Sequence, residues 1–256
     1  MTWQIPKPDE CESPNLWKGC VALWVPALGP TGGTLRDLSG YGKHGTLKNM
    51  DPATDWVAGQ IGWSLDFDGV SDYITVPSLA ITDTEAPWTL SWWSNYNGGT
   101  VDSLVYGTNS FNIQFRTVSN NYVAVVGTSG TAKYFNNCIV VGTWQCWSLT
   151  RLGSTIELWR DGLSRGTHTY SAPETMRLSD LTYISYNDTT NAWDGQIGAM
   201  VAHTRQLVPS EIIAFAERPP ASCGGMLTRR RRIFAASVAA PPATNRRRRL
   251  LLGSCA

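Results

Sequence analysis

Charge is scarce in this sequence: Asp, Glu, Lys and Arg together make up 16% of 256 residues, and there are only three His. A chain so thinly charged and 42% hydrophobic has the composition of a packed core, not of a solvated polymer. Long apolar runs are missing as well. No eighteen consecutive apolar residues occur, so no segment is expected to cross a bilayer as a helix. The opening MTWQIPKPDE lacks a basic stretch followed by an apolar one, and no secretory signal is expected there. None of the six cysteines, Cys11, Cys20, Cys138, Cys146, Cys223 and Cys255, sits in a Cys-x-x-Cys pair, which argues against a zinc ribbon. A Cys11–Cys20 disulfide would close a small loop. Without a secretory signal, free or late-oxidised thiols are preferred. No internal repeat is found.

The parts of hydrolytic chemistry are equally sparse. There is no Gly-x-Ser-x-Gly elbow, and His44, His168 and His203 fall in separate strands or turns. Glycoside hydrolysis needs two carboxylates facing one another across a cleft. Glu157 is the one glutamate expected inside a strand, and Trp159 holds the position two residues on that shares its face. The chain is therefore read as a non-enzyme.

What is abundant is aromatic: 12 Trp, 9 Tyr and 6 Phe. Short alternating runs are punctuated by turn residues about every ten positions, the pattern of an all-β sandwich. The stretch Asp37–Pro77 organises the chain. Gly40, Gly42 and Gly45 mark loops, and Asp68-Gly69 between Ser64–Phe67 and Tyr73–Val76 predicts a hairpin. In 111–116, Phe111, Ile113 and Phe115 alternate with Asn112, Gln114 and Arg116. Tyr122–Val126 follows an Asn120-Asn121 turn. Trp144–Arg151, Ile156–Arg160 and Leu163–Tyr170 are separated by Gly153-Ser154 and Asp161-Gly162, and Tyr183–Tyr186 is a further short strand. One helix is expected, Pro209–Glu217, capped by Ser210 and stopped by Pro219-Pro220. The lone sequon at Asn187–Thr189 reads as a turn.

Charge divides unevenly along the chain. Residues 1–218 hold thirteen basic and twenty acidic residues, a net of −7, whereas residues 219–256 hold eight Arg and no acid. Those eight form two blocks, Arg229, Arg230, Arg231, Arg232 and Arg246, Arg247, Arg248, Arg249, each followed by apolar residues. Like charges in a block cannot bury themselves, so this tail is expected to dock on a partner. An acidic protein surface, including another copy's body, and nucleic-acid phosphates are both open to it. No membrane partner is expected. Residues 1–18, with Pro6, Pro8 and Pro14, read as an arm, and Trp3 and Trp17 suggest that it lies on a surface.

Five segments together resemble the laminin G-like, concanavalin A-like lectin family. They are the apolar strand Val21–Val25 with Asp37–Leu47 behind it, Phe67–Pro77, Thr89–Trp93, Ile156–Gly162, and Trp193–Ile197 leading to Leu207–Ile212. They occur in the family's order across roughly Leu16 to Arg218. The resemblance implies a concanavalin A-like, two-sheet antiparallel β-sandwich (jelly roll) over residues 19–218, with the arm 1–18 and the tail 219–256 outside it. It also implies a lectin-like surface. Asn112, Gln114, Arg116, Tyr122 and Trp159 are the candidate glycan-binding residues, with Tyr96 and Tyr106 beside them. Some relatives bind calcium; Asp37, Asp66, Asp68 and Asp72 are the candidate ligands, against a plainer role in shaping turns. No other cofactor is expected.

Lectin-like sandwiches of this kind occur on virus particles. By that resemblance the chain is expected to be a virion structural protein, a phage capsid decoration or head-fibre type, made in the host cytoplasm. Its partners would be capsid proteins or further copies of itself. The alternative is a carbohydrate-binding lectin module of a cell-surface or exported protein.

Overall fold

The computed structural model describes residues 14–217, apart from 61, 80–85, 100–101, 108–110, 118–120, 128–129, 171–175 and 187–190. Sixteen strands, numbered in chain order, form two antiparallel sheets among the described residues. The first sheet holds β1 (Cys20–Trp24), β4 (Trp56–Ala58), β5 (Trp63–Asp68), β7 (Trp88–Tyr96), β12 (Trp144–Leu152), β13 (Thr155–Arg160), β14 (Leu163–Thr169) and β16 (Asp194–His203). Its order is β14-β13-β12-β7-β16-β5-β4, and β1 pairs with the far half of β16, where Cys20 faces His203. The second sheet holds β2 (Thr34–Leu35), β3 (Gly45–Lys48), β6 (Tyr73–Thr75), β8 (Asp102–Gly107), β9 (Asn112–Arg116), β10 (Tyr122–Val126), β11 (Ala132–Phe135) and β15 (Leu181–Ile184). Its order is β11-β10-β9-β8-β15-β6-β3-β2.

The period-2 alternation of the strands sorts their side chains into layers. Trp92, Trp147, Met200 and Ala202 of the first sheet meet Ile74, Val105, Ile113 and Phe115 of the second in the main core. Phe115 sits edge-on to four rings, with centroids 5.0 Å from Trp193, 5.1 Å from Trp147, 5.6 Å from Tyr96 and 6.5 Å from Trp92. Edge-to-face pairs of this kind add to the area each ring buries.

Alternate residues of the same first-sheet strands, Leu23, Trp93, Cys146 and Val201, build a second core on that sheet's outer face. Leu16, Ile212 and Phe215 cover it from the chain's two flanks. The bulge between Ile197 and Met200 lets both face inward although they are three apart. Gly198 within it lies under Trp93 and Trp144, where an added Cβ would come within 3.3 Å of each side chain.

Several expected elements stand where the alternation put them, including the helix α1 (Pro209–Glu217). Asp161 and Gly162 both take positive φ, the requirement of a two-residue type I′ hairpin, and join β13 to β14.

Two expectations are corrected. The Asp68-Gly69 turn does not close a hairpin: β5 pairs with β4 and β16, while β6 pairs with β3 and β15, so the turn is a corner between sheets. Local turn chemistry specifies a reversal of direction, not which sheet the chain joins next. Ser210 does not cap α1 either. The Val208 N–H donates to Glu211 Oε2 at 3.0 Å, and Arg205 holds the same carboxylate with Nη1 and Nη2 at 2.7 and 2.8 Å. Ser210 lies inside the helix.

Residues 14–17, placed in the arm by sequence, form a 3-10 turn whose Leu16 is buried in the second core.

Candidate functional site

Among the described residues no second core lies over the outer face of the second sheet, and its register determines which side chains share it. Paired residues lie on one side of a sheet. One row across the strands therefore runs Thr46, Thr75, Tyr183, Tyr106, Asn112 and Val126. Beside it lie Lys48 next to Tyr73 on β3 and β6, then Ser103, Gln114, Ala124 and Tyr134 on β8 to β11. Arg116 and Tyr122 form the next pair along β9 and β10.

The tyrosines fall into two groups. Tyr183 meets Tyr73 edge-on at 5.7 Å and Tyr106 at 6.4 Å, and Tyr106 lies 4.0 Å from Tyr186. On the other side, Tyr122 and Tyr134 meet edge-on at 5.2 Å. Between the groups Arg116 donates from Nη2 to Gln114 Oε1 at 3.1 Å and from Nη1 to the Tyr122 hydroxyl at 3.3 Å. Its guanidinium stands 5.9 Å from the Tyr122 ring centre. Two buried polar atoms here lack any hydrogen-bond partner, Asn112 Oδ1 (an acceptor) and Arg116 Nε (a donor).

Partly exposed aromatic faces with donors and acceptors between them are what a polyhydroxylated ring needs, apolar C–H faces to stack and hydroxyls to satisfy. No carboxylate occurs among the described strand residues of this face. Asp102, at the start of β8, lies instead against Tyr96 and Asp194, and burial pushes its carboxyl up to about 6.

The structure thus brings together Asn112, Gln114, Arg116 and Tyr122, with Tyr106 alongside. Trp159 is not with them. It lies on the first sheet, packed against the second core on the opposite side of the sandwich. Tyr96 points inward, 1% exposed and stacked 4.8 Å from Trp193. Sequence reasoning missed Tyr73, Tyr183 and Tyr186. The signal was present for the first two, since each adjoins an isoleucine, Ile74 or Ile184, that alternation sends into the core.

Two of the candidate calcium ligands, Asp37 and Asp68, are engaged by backbone N–H groups. Asp37 Oδ1 accepts the N–H groups of Leu23 and Ser39 at 2.9 Å each. Its Oδ2 accepts the Ser39 hydroxyl and the Lys43 N–H at 2.8 Å each. Asp68 Oδ1 takes the N–H groups of Val70, Ser71 and Asp72 at 2.8–3.2 Å. Burial works to raise its pKa, but those N–H groups outweigh it and hold the carboxyl below the usual range. Both carboxylates are spent on positive ends of the backbone, which shapes the loops. Burial, then the charge of Asp68, pushes Asp72 up to about 7. Among the described residues no group of three or more His, Cys, Asp or Glu is arranged to hold a metal.

Glu157 lies on the first sheet and accepts a hydrogen bond from the Ser164 hydroxyl at 2.6 Å. The Arg229–Arg232 and Arg246–Arg249 blocks, Cys11, Cys223, Cys255 and the sequon lie outside the described residues.

With the face defined, three comparisons bear on it. The family described as the concanavalin A-like lectin/glucanases superfamily matches residues 68–213. No curated protein matches the sequence. Among solved structures, domain 4 of AbnA, an extracellular arabinanase from Geobacillus stearothermophilus solved with arabinotriose, is 15% identical with a TM-score of 0.60. The match covers 77% of this chain and 98% of that one. The binding domain of Paraclostridial Mosquitocidal Protein 1 is 14% identical with a TM-score of 0.60, over 77% of this chain and 52% of that one. A mutant of Trypanosoma rangeli sialidase displaying trans-sialidase activity is 13% identical with a TM-score of 0.57, over 81% of this chain and 33% of that one. At such identities the likeness is one of fold, and the chain spans only about half of the toxin domain's length.

Proposed function

The chain belongs to the concanavalin A-like lectin/glucanases superfamily, and from that premise we propose that it is a non-enzymatic recognition protein that binds carbohydrate on the tyrosine face of its second sheet. The observation that carries this reading is that Tyr73, Tyr183 and Tyr106 share one face of the second sheet with Asn112, Gln114 and Arg116, a face that no second core covers among the described residues. Hydrolysis would require two carboxylates at the sugar, and the described strand residues of this face supply none. The solved domain 4 of AbnA, of the same fold, is described in complex with arabinotriose, which lends support to a sugar ligand.

The basic tail gives the reading its second half. A body of net −7 joined to a segment with eight Arg and no acid suits an assembly in which the tail grips a neighbour. We place that assembly on a virus particle, with the protein as a capsid decoration or head-fibre component and capsid proteins or further copies as partners. A free-standing lectin of a cell surface or exported protein would use the same face without the tail's partner.

A glycan array probed with the full chain and with Tyr106→Ala tests the first half. Binding by the parent and its loss in the variant, with far-UV circular dichroism unchanged, is expected. An array left blank by the parent at high protein concentration ends the glycan reading. For the second half, the full chain is compared with a form carrying serine at all eight tail arginines. Equal recovery of both on purified particles rules out tail anchoring.

A further inference from the structure

If the tyrosine face binds carbohydrate, as proposed above, its charge and its extent narrow the class of ligand further. The body carries a net charge of −7, yet the described strand residues on this face include two cations, Lys48 and Arg116, and no carboxylate. Acids are gathered elsewhere. Asp68 and Asp194 stand directly opposite one another between β5 and β16, and Asp72 feels Asp68, Asp55 and Asp66. A face kept clear of negative charge on a negative body is electrostatically set apart, and it attracts what the remainder repels.

The two cations stand at a distance from each other. Lys48 is on β3 and Arg116 on β9, separated in the sheet by β6, β15 and β8. At about 4.8 Å per strand the separation across the sheet is roughly 19 Å, and the intervening strands β6, β15 and β8 carry Tyr73, Tyr183 and Tyr106. Tyr73 shares the row of Lys48, Tyr183 and Tyr106 lie in the next row beside Asn112, and Arg116 lies two rows along β9 from Asn112, so a path from Lys48 over the tyrosines turns along β9 to reach Arg116. Lys48 is exposed, while Arg116 is half-buried and pre-oriented by Gln114 and Tyr122. A guanidinium held in this way is suited to a carboxylate or sulfate, and its planar fork loses little freedom on binding one.

We propose that the ligand is an acidic oligosaccharide, several units long, crossing β6, β15 and β8 with its rings on the tyrosines and turning along β9, its anionic groups at Lys48 and Arg116. Uronate, sialyl and sulfated chains share this chemistry.

The test is a glycan array carrying matched neutral and acidic oligosaccharides, in mono-, tri- and hexameric forms, probed with the full chain at low and high salt. Acidic hexamers are expected to bind best and to weaken with salt. Arg116→Gln should reduce their binding on the order of tenfold, the scale of a lost charge-assisted contact, and flatten its dependence on salt. Lys48→Gln, at an exposed position where misfolding is not at issue, should reduce it roughly two- to fivefold. Neutral chains binding as well as their acidic counterparts would overturn the charge assignment while leaving the carbohydrate reading intact. Monomers binding as well as hexamers would overturn the extended geometry. If no glycan of either kind binds, the underlying reading falls and takes this inference with it.

Discussion

The two sheets use their aromatic residues in opposite ways. Among the described residues every tryptophan within a strand belongs to the first sheet, and the second sheet's strands carry tyrosine instead, at Tyr73, Tyr106, Tyr122, Tyr134 and Tyr183. Indole offers a large apolar surface and one donor; phenol offers less surface and a hydroxyl that both donates and accepts. The first sheet is packed on both faces and tolerates unmet donors, leaving the indole N–H of Trp92, Trp93, Trp147 and Trp159 without partners. The second sheet packs one face and presents the other. Burial on both faces fixes the first sheet, and the proposed recognition falls to the outer side of the second.

That contrast is open to direct tests. Phe115→Ala should be the most damaging single change, since the ring touches both sheets' aromatic residues. A loss of about 3–5 kcal/mol in denaturant unfolding is expected. Tyr106→Ala should cost within about 1 kcal/mol and remove ligand binding instead. If the two cost the same, the tyrosine face is part of the core and the contrast fails.

Glu211→Gln removes the anion that Arg205 clasps and that caps α1 over the second core. It should destabilise by about 1–2 kcal/mol and leave binding at the tyrosine face unchanged. A loss of binding in that variant would show the two outer faces to be coupled.

The smallest effects are in pH. Burial pushes Asp72 up to about 7 and Asp102 up to about 6, from 3.8. The native state therefore holds protons that the unfolded chain has released, and stability declines as pH rises from about 4 through 7. Burial lowers His203 from 6.5 to about 4, so stability also declines as pH falls from about 6.5 toward 4. Between about pH 4 and 6 the two carboxyls outweigh the histidine, so a thermal-melting maximum near pH 4 is expected, with a decline toward pH 7. Asp72→Asn should raise the melting temperature at pH 8 and leave it unchanged at pH 4; no gain at pH 8 would show that this carboxylate is not frustrated.

Much of the sandwich could be read in advance because alternation and turn chemistry act over a few residues. Phe111, Ile113 and Phe115 face inward, and Asp161-Gly162 turns as its residue types require. What stayed hidden depends on the partner strand. Nothing local in Asp68-Gly69 tells a corner from a hairpin, and β4 and β11, short and without clear alternation, take their identity from neighbours. The site was legible by halves for the same reason. Asn112, Gln114 and Arg116 share a face by period alone. That Tyr183 joins them and Trp159 does not depends on the sheet to which each strand belongs.

The placement of the two flanks of the described chain has a mechanical consequence. His203 Nε2 lies 2.7 Å from the Leu16 carbonyl oxygen, the Thr204 N–H donates to the Gly19 carbonyl at 2.8 Å, and α1 closes over the first sheet. Both flanks are thus fastened behind the sandwich, on the side away from the tyrosines. A tether continuing past residue 217 would hold the body by its back with the tyrosine face turned outward. A pull on a ligand there passes through Phe115 to β7 and β16, each hydrogen-bonded along both edges. Such a pull runs from front to back across the sandwich and loads the aromatic core between the sheets, so a grip at the front is resisted by the most closely packed part of the molecule.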